Sequence, residues 1–191
     1  MTRGVTDPLV RPGEITEIVG RLGSGRTSLF LTCLREITHD GGLAALVDAD
    51  QAFDPRVAAE AGVDLRRLLW VRCGGRREVA LRVTDILVRC PGFAAVGLDL
   101  GERPVRIPLT AGFRLKLAVR RTGTALVIIG RRRIAGPSAS LAVATVQAGL
   151  EWTGPGPTPT RLARVRTAVQ VLRARGAAPR PAVTRVEWWS P

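Results

Sequence analysis

Residues 14–28 read EITEIVGRLGSGRTS, a short apolar run followed by a glycine-rich turn and the start of a helical pattern. This order is typical of a phosphate-binding loop, in which glycines let backbone N–H groups converge on phosphate at the positive end of a helix. Gly20, Gly23 and Gly25 supply the turn. Arg26 stands where a working loop has lysine, and its planar guanidinium does not replace a compact ammonium group.

Three further residues complete the motif. Thr27 stands where a hydroxyl group holds Mg²⁺, and Ser28 lies beside it. Asp99 ends a later apolar run, which is the context of a carboxylate that holds Mg²⁺ through water. Thr27 and Asp99 are therefore the expected Mg²⁺ ligands if ATP binds. The alternative is a turn in a glycine-rich chain, with acidic residues that only cap helices and end strands.

The flanking sequence alternates predicted strands with predicted helices. Each strand is nearly continuous in Val, Ile and Leu, so we expect an α/β fold with a mostly parallel sheet covered on both faces. The predicted strands are 14–19, 43–48, 68–73, 93–100 and 124–130, and the predicted helices are 26–37, 54–61, 78–88 and 108–121.

The pattern changes after residue 140, where apolar and polar residues alternate with no helix between the runs. These runs predict antiparallel strands that extend the sheet at its C-terminal end. We expect a single domain over 1–191, with an N-terminal extension at 1–12, an α/β core at 13–140 and antiparallel strands at 141–191.

The basic residues are unevenly distributed along the chain, whose net charge is +13. Residues 1–102 contain 13 Arg and 14 Asp or Glu, whereas residues 103–191 contain 16 Lys or Arg and only Glu151 and Glu187 as acids. This asymmetry favours an acidic partner for the second half, with nucleic acid as the first candidate. A bias toward arginine is the alternative explanation, because Lys116 is the only lysine.

The remaining composition points to a soluble, cytoplasmic protein. Cys33, Cys73 and Cys90 are odd in number and widely spaced, which favours free thiols over a disulfide or a metal site. Residues 1–14 have no apolar stretch of a secretory signal, and no apolar run reaches the length of a membrane span. We therefore expect no membrane association and no bound metal other than Mg²⁺ with ATP.

A basic patch is predicted at the C-terminal edge of the sheet. Arg131, Arg132 and Arg133 follow a strand at the edge where open α/β sheets place ligands. Contacts from such residues to phosphates are salt-dependent and carry little sequence information. A solvated run of charges is the alternative. The preceding helix is expected to extend the patch through Arg114, Lys116, Arg120 and Arg121.

Trp188 and Trp189, near the C-terminus, are candidate anchors for a protein partner. The alternative is that these two side chains pack onto the last strand. Aromatic residues make up only 4% of the chain and tyrosine is absent, so the sequence gives little support for a base-stacking platform.

The sequence of residues 14–72 resembles the RecA recombinase core. The similarity covers EITEIVGRLGSGRTSL and continues through GGLAALVDADQAFDPRVAAEAGVDLRRLLWVR, where Val47–Pro55 is similar to the family's I-D-A-E-x-A-L-D-P. It is weaker beyond residue 72 and extends to VQVLRARGAAPRPAVTRVEW, which is similar to the family's last hairpin. The resemblance implies a RecA-like core with an ATP site and DNA-binding loops.

The resemblance also shows which functional positions have changed. Asp50 stands where the family has the glutamate that activates water, and it is one methylene shorter. Asp54 matches the aspartate near the adenine, but Val57 replaces the tyrosine that stacks on the base. Gly130 and Arg131 replace the Asn-Gln pair that senses the γ-phosphate.

The elements that build the family's filament and bind DNA differ as well. Arg173 and Arg175 match two lysines that reach phosphates of the neighbouring subunit. The segment between Asp99 and Thr124 is short, so the first DNA-binding loop is expected to be missing, and the second is reduced to RRRIAGPSAS. The N-terminal filament helix is also expected to be missing.

This set of losses resembles the ImuA group of RecA-like proteins. The resemblance implies a non-catalytic accessory protein of error-prone translesion synthesis, induced in the SOS response to DNA damage. Its expected partners are an inactive Y-family polymerase-like protein, an error-prone polymerase, RecA itself and DNA. The alternative is a DNA-dependent ATPase, a RecA paralogue that acts in recombinational repair.

Overall fold

The computed structural model describes residues 9–103, 106–155, 158–175 and 183–189. The strands are β1 (Ile15–Val19), β2 (Leu43–Asp48), β3 (Leu68–Arg72), β4 (Phe93–Asp99), β5 (Ala125–Gly130), β6 (Leu141–Thr153), β7 (Arg161–Ala174) and β8 (Val183–Trp189). The helices are α1 (Arg26–His39), α2 (Pro55–Glu60), α3 (Arg77–Leu87) and α4 (Leu109–Thr122), with short 3₁₀ turns at 65–67 and 136–138.

The eight strands form one sheet in the order β3-β2-β4-β5-β1-β6-β7-β8. The first six strands in this order are parallel, and β6-β7 and β7-β8 are antiparallel. The prediction of a mostly parallel α/β sheet with antiparallel strands at its end is confirmed. Every predicted strand and helix of the core is present, within two residues at each end.

The pairing of β6 differs in one respect from the expected antiparallel extension. Thr16 of β1 lies opposite Leu141 of β6 in a parallel register. The reason is the segment 131–140, which follows β5 at the C-terminal edge of the sheet and returns to the N-terminal edge before β6 begins. Ser140 then donates its backbone N–H to the carbonyl of Ile15 at 2.8 Å, which fixes the start of β6 beside β1.

Two hydrophobic cores cover the two faces of the sheet, as a buried parallel sheet requires. One contains Leu98 and Ile128 with helices α3 and α4, and the other contains Ile18 and Ile129 with helix α1. Within the described ranges, no helix is long and apolar enough to span a membrane. The predicted single domain and the predicted cytoplasmic location stay predictions.

Gly97 on β4 lies directly beneath the ring of Phe30 from α1, and both residues are in the core. A Cβ atom added at Gly97 would overlap the Phe30 ring. We predict that Gly97→Ala lowers the free energy of unfolding by about 1–3 kcal/mol, because a filled core has no room for the methyl group. Urea unfolding measures this change.

Gly149→Ala is the matched control for this prediction. Gly149 also lies in a strand, and an added Cβ would approach Arg166 only to 3.8 Å, an ordinary contact distance. Phe30→Leu should restore part of the stability lost in Gly97→Ala. If Gly97→Ala and Gly149→Ala lowered the free energy of unfolding equally, the contact with Phe30 would not be the reason why position 97 requires glycine.

Candidate functional site

The predicted phosphate loop has the expected backbone geometry. It leaves β1 at Val19 and turns through Gly23 and Gly25, whose φ angles are 77° and 87°. Only glycine adopts such left-handed angles without cost. Helix α1 begins at Arg26, so the free N–H groups of its first turn lie beside the loop. This backbone conformation is therefore suited to binding an anion.

Arg26 turns back on the loop and is 6% exposed. Its Nη1 donates a hydrogen bond to the carbonyl oxygen of Gly20 at 2.6 Å. Its Nη2 forms an ion pair with the carboxylate of Glu102, in the segment after β4. The positive charge that stands in place of the phosphate-binding lysine is thus held and neutralised by the protein's own groups.

The β6-β7 hairpin packs against the same loop. Ser24 Oγ and Thr145 Oγ1 form a hydrogen bond of 2.7 Å, and Thr145 Oγ1 also donates to the carbonyl of Val19 at 3.3 Å. Thr167, which is buried, lies so close to Gly25 that a Cβ atom there would overlap its side chain. The close approach of these threonines is a second reason, besides turn geometry, why the loop needs glycine.

The acidic residues after β2 are held in structural contacts. Asp48 is buried at the end of β2. It accepts hydrogen bonds from the backbone N–H groups of Ala52 at 3.2 Å and Phe53 at 3.0 Å, and from Trp70 Nε1 at 3.2 Å. Asp48 therefore shapes the turn that follows the strand.

Asp50 and Asp54 also have partners within the chain. The carboxylate of Asp50, the candidate catalytic residue, receives Arg77 Nη2 at 2.6 and 2.8 Å. Asp54 caps helix α2 by accepting the backbone N–H of Arg56 at 2.8 Å. Val57, three residues after Asp54, is half exposed. Asp50 is thus held in an ion pair, and Asp54 has the structural role of a helix cap.

Asp99 ends β4 and accepts the backbone N–H of Gly101 at 2.9 Å. Burial raises the pKa of Asp99, and the neighbouring carboxylates of Asp48 and Asp50 raise it further, against the Gly101 N–H and the charge of Arg26. Thr27 is exposed at the start of α1.

Taken together, these contacts do not fit a Mg²⁺-ATP site. Arg26 is committed to Glu102, and Asp50 is committed to Arg77. Among the described residues, no group of three or more His, Cys, Asp or Glu side chains is arranged to hold a metal ion.

A cavity of about 260 Å³ lies beside the loop, between the segments that follow β4 and β5. Because β4 and β5 pair in parallel, both segments leave the sheet at the same edge. Five arginines line the cavity, and Glu102, paired with Arg26, is the acid in the lining. The arginines are Arg103, Arg106, Arg131, Arg132 and Arg133.

Arg103 and Arg106 were not singled out from the sequence. Their position in the sequence could have indicated a role, because they follow the strand that ends in Asp99, and the next strand along the chain precedes Arg131. Neighbouring parallel strands bring the segments after them together, so their basic residues share one surface. The cavity therefore brings five arginines together at the C-terminal edge.

Glu17 positions one wall of this cavity. It is buried on β1, and its Oε1 accepts the backbone N–H groups of Ile134 at 2.6 Å and Ala135 at 2.7 Å. Its Oε2 receives Arg133 Nε at 3.4 Å. A single carboxylate in the central strand thus fixes the segment that carries the three consecutive arginines.

The other predicted basic residues do not line this cavity. Arg114 on α4 pairs with Asp85 at 3.2 Å. Lys116 is buried, and its pKa is lowered by burial first and then by Arg175, Arg120 and Arg173, with Glu14 opposing. This second cluster adjoins the start of β1, at the opposite edge of the sheet, and Arg121 is exposed at the end of the same helix.

The two basic regions meet at one backbone atom. The carbonyl oxygen of Gly136 accepts Arg173 Nη1 at 3.2 Å and Arg133 Nη2 at 3.5 Å. Trp188 and Trp189 belong to β8 by their backbone, but their side chains lie outside the described residues. Their predicted role as partner anchors stays a prediction.

Residues 7–100 match the family model of the RecA N-terminal domain. This segment is similar to the RecA N-terminal domain. RecA of Chlorobaculum parvum is 44% identical to this chain over 87 residues, which is 46% of this chain and 25% of that protein. RecA of Ruegeria pomeroyi is 44% identical and RecA of Synechococcus sp. 42% identical over segments of the same length, covering 25% and 23% of those proteins. The match therefore spans about a quarter of the relatives' length.

The fold comparison covers nearly the whole chain. The crystal structure of the RadB recombinase superposes with a TM-score of 0.67, over 97% of this chain and 93% of that one, at 18% identity. The likeness in fold therefore extends beyond the segment that matches in sequence. At this identity the likeness concerns the fold alone.

We predict that Asp99→Asn stabilises the protein at neutral pH. Because the folded-state pKa of Asp99 is raised, protonated Asp99 contributes stability below its unfolded pKa, and this contribution is lost as the pH rises through the folded pKa. Asparagine removes the cost of the buried charge while keeping an oxygen for the Gly101 N–H. The gain in urea midpoint should shrink as the pH is lowered from 7 toward about 4.

Asp85→Asn is the control with the opposite sign. Hydrogen bonds from Arg89, together with Arg114, lower the pKa of Asp85, so its substitution should reduce stability at neutral pH and lose that effect in acid. A destabilising effect of Asp99→Asn at pH 7 would contradict the prediction for Asp99.

Proposed function

We propose that this chain is a non-catalytic, RecA-like accessory protein that binds DNA without hydrolysing ATP. The observation that carries the proposal is the contact set of Arg26, which bonds to Gly20 and Glu102 and is buried in the loop. A guanidinium held in this way is not free to reach the β- and γ-phosphates. Asp50 is paired with Arg77, and Val57 replaces the residue expected to stack on the base.

DNA is the partner that best matches the arginine-lined cavity. Arginine forks pair with phosphate oxygens through two parallel hydrogen bonds, and the cavity brings five of them together at the ligand-binding edge of an α/β sheet. A surface of this composition supports contacts to the backbone of DNA rather than to its bases. The binding is therefore expected to be salt-dependent and indifferent to sequence.

The cellular role we propose is that of a translesion-synthesis accessory protein in the SOS response. The support is the combination of a RecA-like core with changes at the positions of the phosphate-binding lysine, the catalytic glutamate, the base-stacking tyrosine and the γ-phosphate sensor. The proposed protein partners are an inactive Y-family polymerase-like protein, an error-prone polymerase and RecA, and the proposed location is the cytoplasm. The ImuA-like role is proposed from the set of changed positions, which resembles that group. The segment that matches RecA in sequence covers a quarter of the RecA protein.

A DNA-dependent ATPase acting in recombinational repair is the second candidate. One observation favours it: the loop keeps its turn, with Gly25 in the left-handed conformation at the start of a 14-residue helix. Anion binding at such a helix start requires no side-chain charge.

We predict that the protein gives no DNA-stimulated phosphate release from ATP and binds ATP too weakly for titration at micromolar concentration. Arg26→Lys should strengthen nucleotide binding, because a lysine side chain is slimmer and can extend toward a phosphate. It should not produce turnover, since Asp50 remains paired with Arg77. Titration with a fluorescent ATP analogue and Mg²⁺, and a phosphate-release assay with single-stranded DNA, measure the two quantities.

Arg21→Lys is the matched control, because Arg21 is an exposed arginine of the same loop. It should leave nucleotide binding unchanged. Micromolar ATP affinity together with DNA-stimulated turnover in the native chain would overturn the non-catalytic proposal in favour of the ATPase.

We predict that Arg103→Ala and Arg132→Ala each weaken DNA binding to the same extent for unrelated DNA sequences. Each should reduce the slope of log affinity against log salt by about one, as expected for the loss of one phosphate contact. Fluorescence anisotropy with two labelled oligonucleotides, over a series of salt concentrations, measures both effects.

Arg56→Ala controls for the loss of general positive charge, because Arg56 is exposed on α2 and does not line the cavity. An equal loss in Arg56→Ala would assign the binding to overall charge. If the native protein does not bind DNA even at low salt, the DNA part of the proposal is wrong.

A further inference from the structure

The outer face of α4 carries an apolar stripe. Leu109, Phe113 and Leu117 are spaced by four residues, so they form one row along the helix surface. They are 63%, 52% and 61% exposed. A soluble chain rarely leaves three large apolar side chains side by side in water unless the surface serves contact with a partner.

Basic residues flank this stripe. Arg120 and Arg121 follow it in the last turn of α4, and both are exposed. On one side, Arg114 extends toward α3, where it shares Asp85 with Arg89. Lys116 lies on the other side and is electrostatically coupled to the arginines at the end of β7. Among the described residues, Arg120 and Arg121 have no ion pair.

We propose that the α4 stripe binds an amphipathic helix of a partner protein, with acidic residues flanking its apolar anchors. The apolar row would bury leucine-like side chains, a gain of about 25 cal/mol per Å² of apolar surface removed from water. The arginines on its flanks would pair with the acidic residues and select this partner against basic ones. This inference rests on the proposed accessory role, which requires a protein partner.

The charge pattern argues against the other occupants. A second copy of this chain would place the same basic flanks opposite each other, and the chain already carries a net charge of +13. DNA would match the arginines but would leave the leucine and phenylalanine side chains in water. An anionic membrane surface would match both features, so it is tested as a separate outcome.

The test uses two synthetic helical peptides of about 18 residues, a length at which an isolated helix can form. Both carry the same leucine stripe, one with glutamate flanks and the other with lysine flanks. We expect the glutamate peptide to bind the full chain and the lysine peptide not to bind, by fluorescence anisotropy. Phe113→Ser with Leu117→Ser should weaken the binding at least about tenfold, as for central residues of an interface.

Leu69→Ser is the matched control, because Leu69 is an exposed leucine of β3, on another part of the surface. It should keep full peptide affinity. Arg120→Glu with Arg121→Glu should reverse the preference toward the lysine peptide, which a merely misfolded variant would not do. Phe113→Ser with Leu117→Ser should leave DNA binding unchanged, so that the peptide result is independent of the DNA result.

Three outcomes would overturn the proposal. Equal binding of the two peptides would show that charge does not select the partner. An equal loss in Leu69→Ser would place the binding elsewhere. Binding to phosphatidylserine vesicles that requires Phe113 and Leu117, without any peptide binding, would assign the stripe to a lipid surface.

Discussion

The pairing of Arg26 with Glu102 and Gly20 is the constraint on which the rest of the site depends. It joins the loop after β1 to the segment after β4, and it does so at the place where a working loop keeps a free cation. A buried guanidinium is stable only when its charge and its donors are satisfied. The need to satisfy Arg26 therefore accounts for an acid inside an otherwise basic cavity.

The loop shows how a ligand-binding motif can be retained by packing. Thr145 and Thr167 of the β6-β7 hairpin approach Gly20 and Gly25 so closely that larger residues would collide with them. The hairpin thus supplies a structural requirement for the same glycines that phosphate binding would require. The spacing of glycines in a sequence therefore indicates that another group packs closely against the backbone at those positions. Only the structure shows whether that group is a bound phosphate or a side chain of the protein.

Most of the architecture could be predicted because it is encoded locally. The apolar runs of β1, β2, β4 and β5 and the helical period of α1 each point to one structure, and the parallel sheet follows from their alternation. The parallel pairing of β6 could not be predicted in this way. It depends on the path of residues 131–140, which has no hydrophobic period of its own.

The site was less predictable because its contacts join residues distant in sequence. The Arg26–Glu102 pair spans 76 positions and the contact of Arg133 with Glu17 spans 116. Sequence spacing identified Arg26 as unusual and Arg131 to Arg133 as basic. It gave no indication that Asp48 is buried, that Lys116 lies at the opposite edge, or that Arg103 shares a cavity with Arg132.

The cavity contains five arginines and no lysine, which fixes its charge in a way that a lysine-rich surface would not. A guanidinium stays protonated at any pH a cell experiences, and lysine acetylation cannot neutralise it. Regulation of this surface must therefore come from a competing anion, from arginine methylation or from a protein that covers it. The charge itself is a permanent property of the fold.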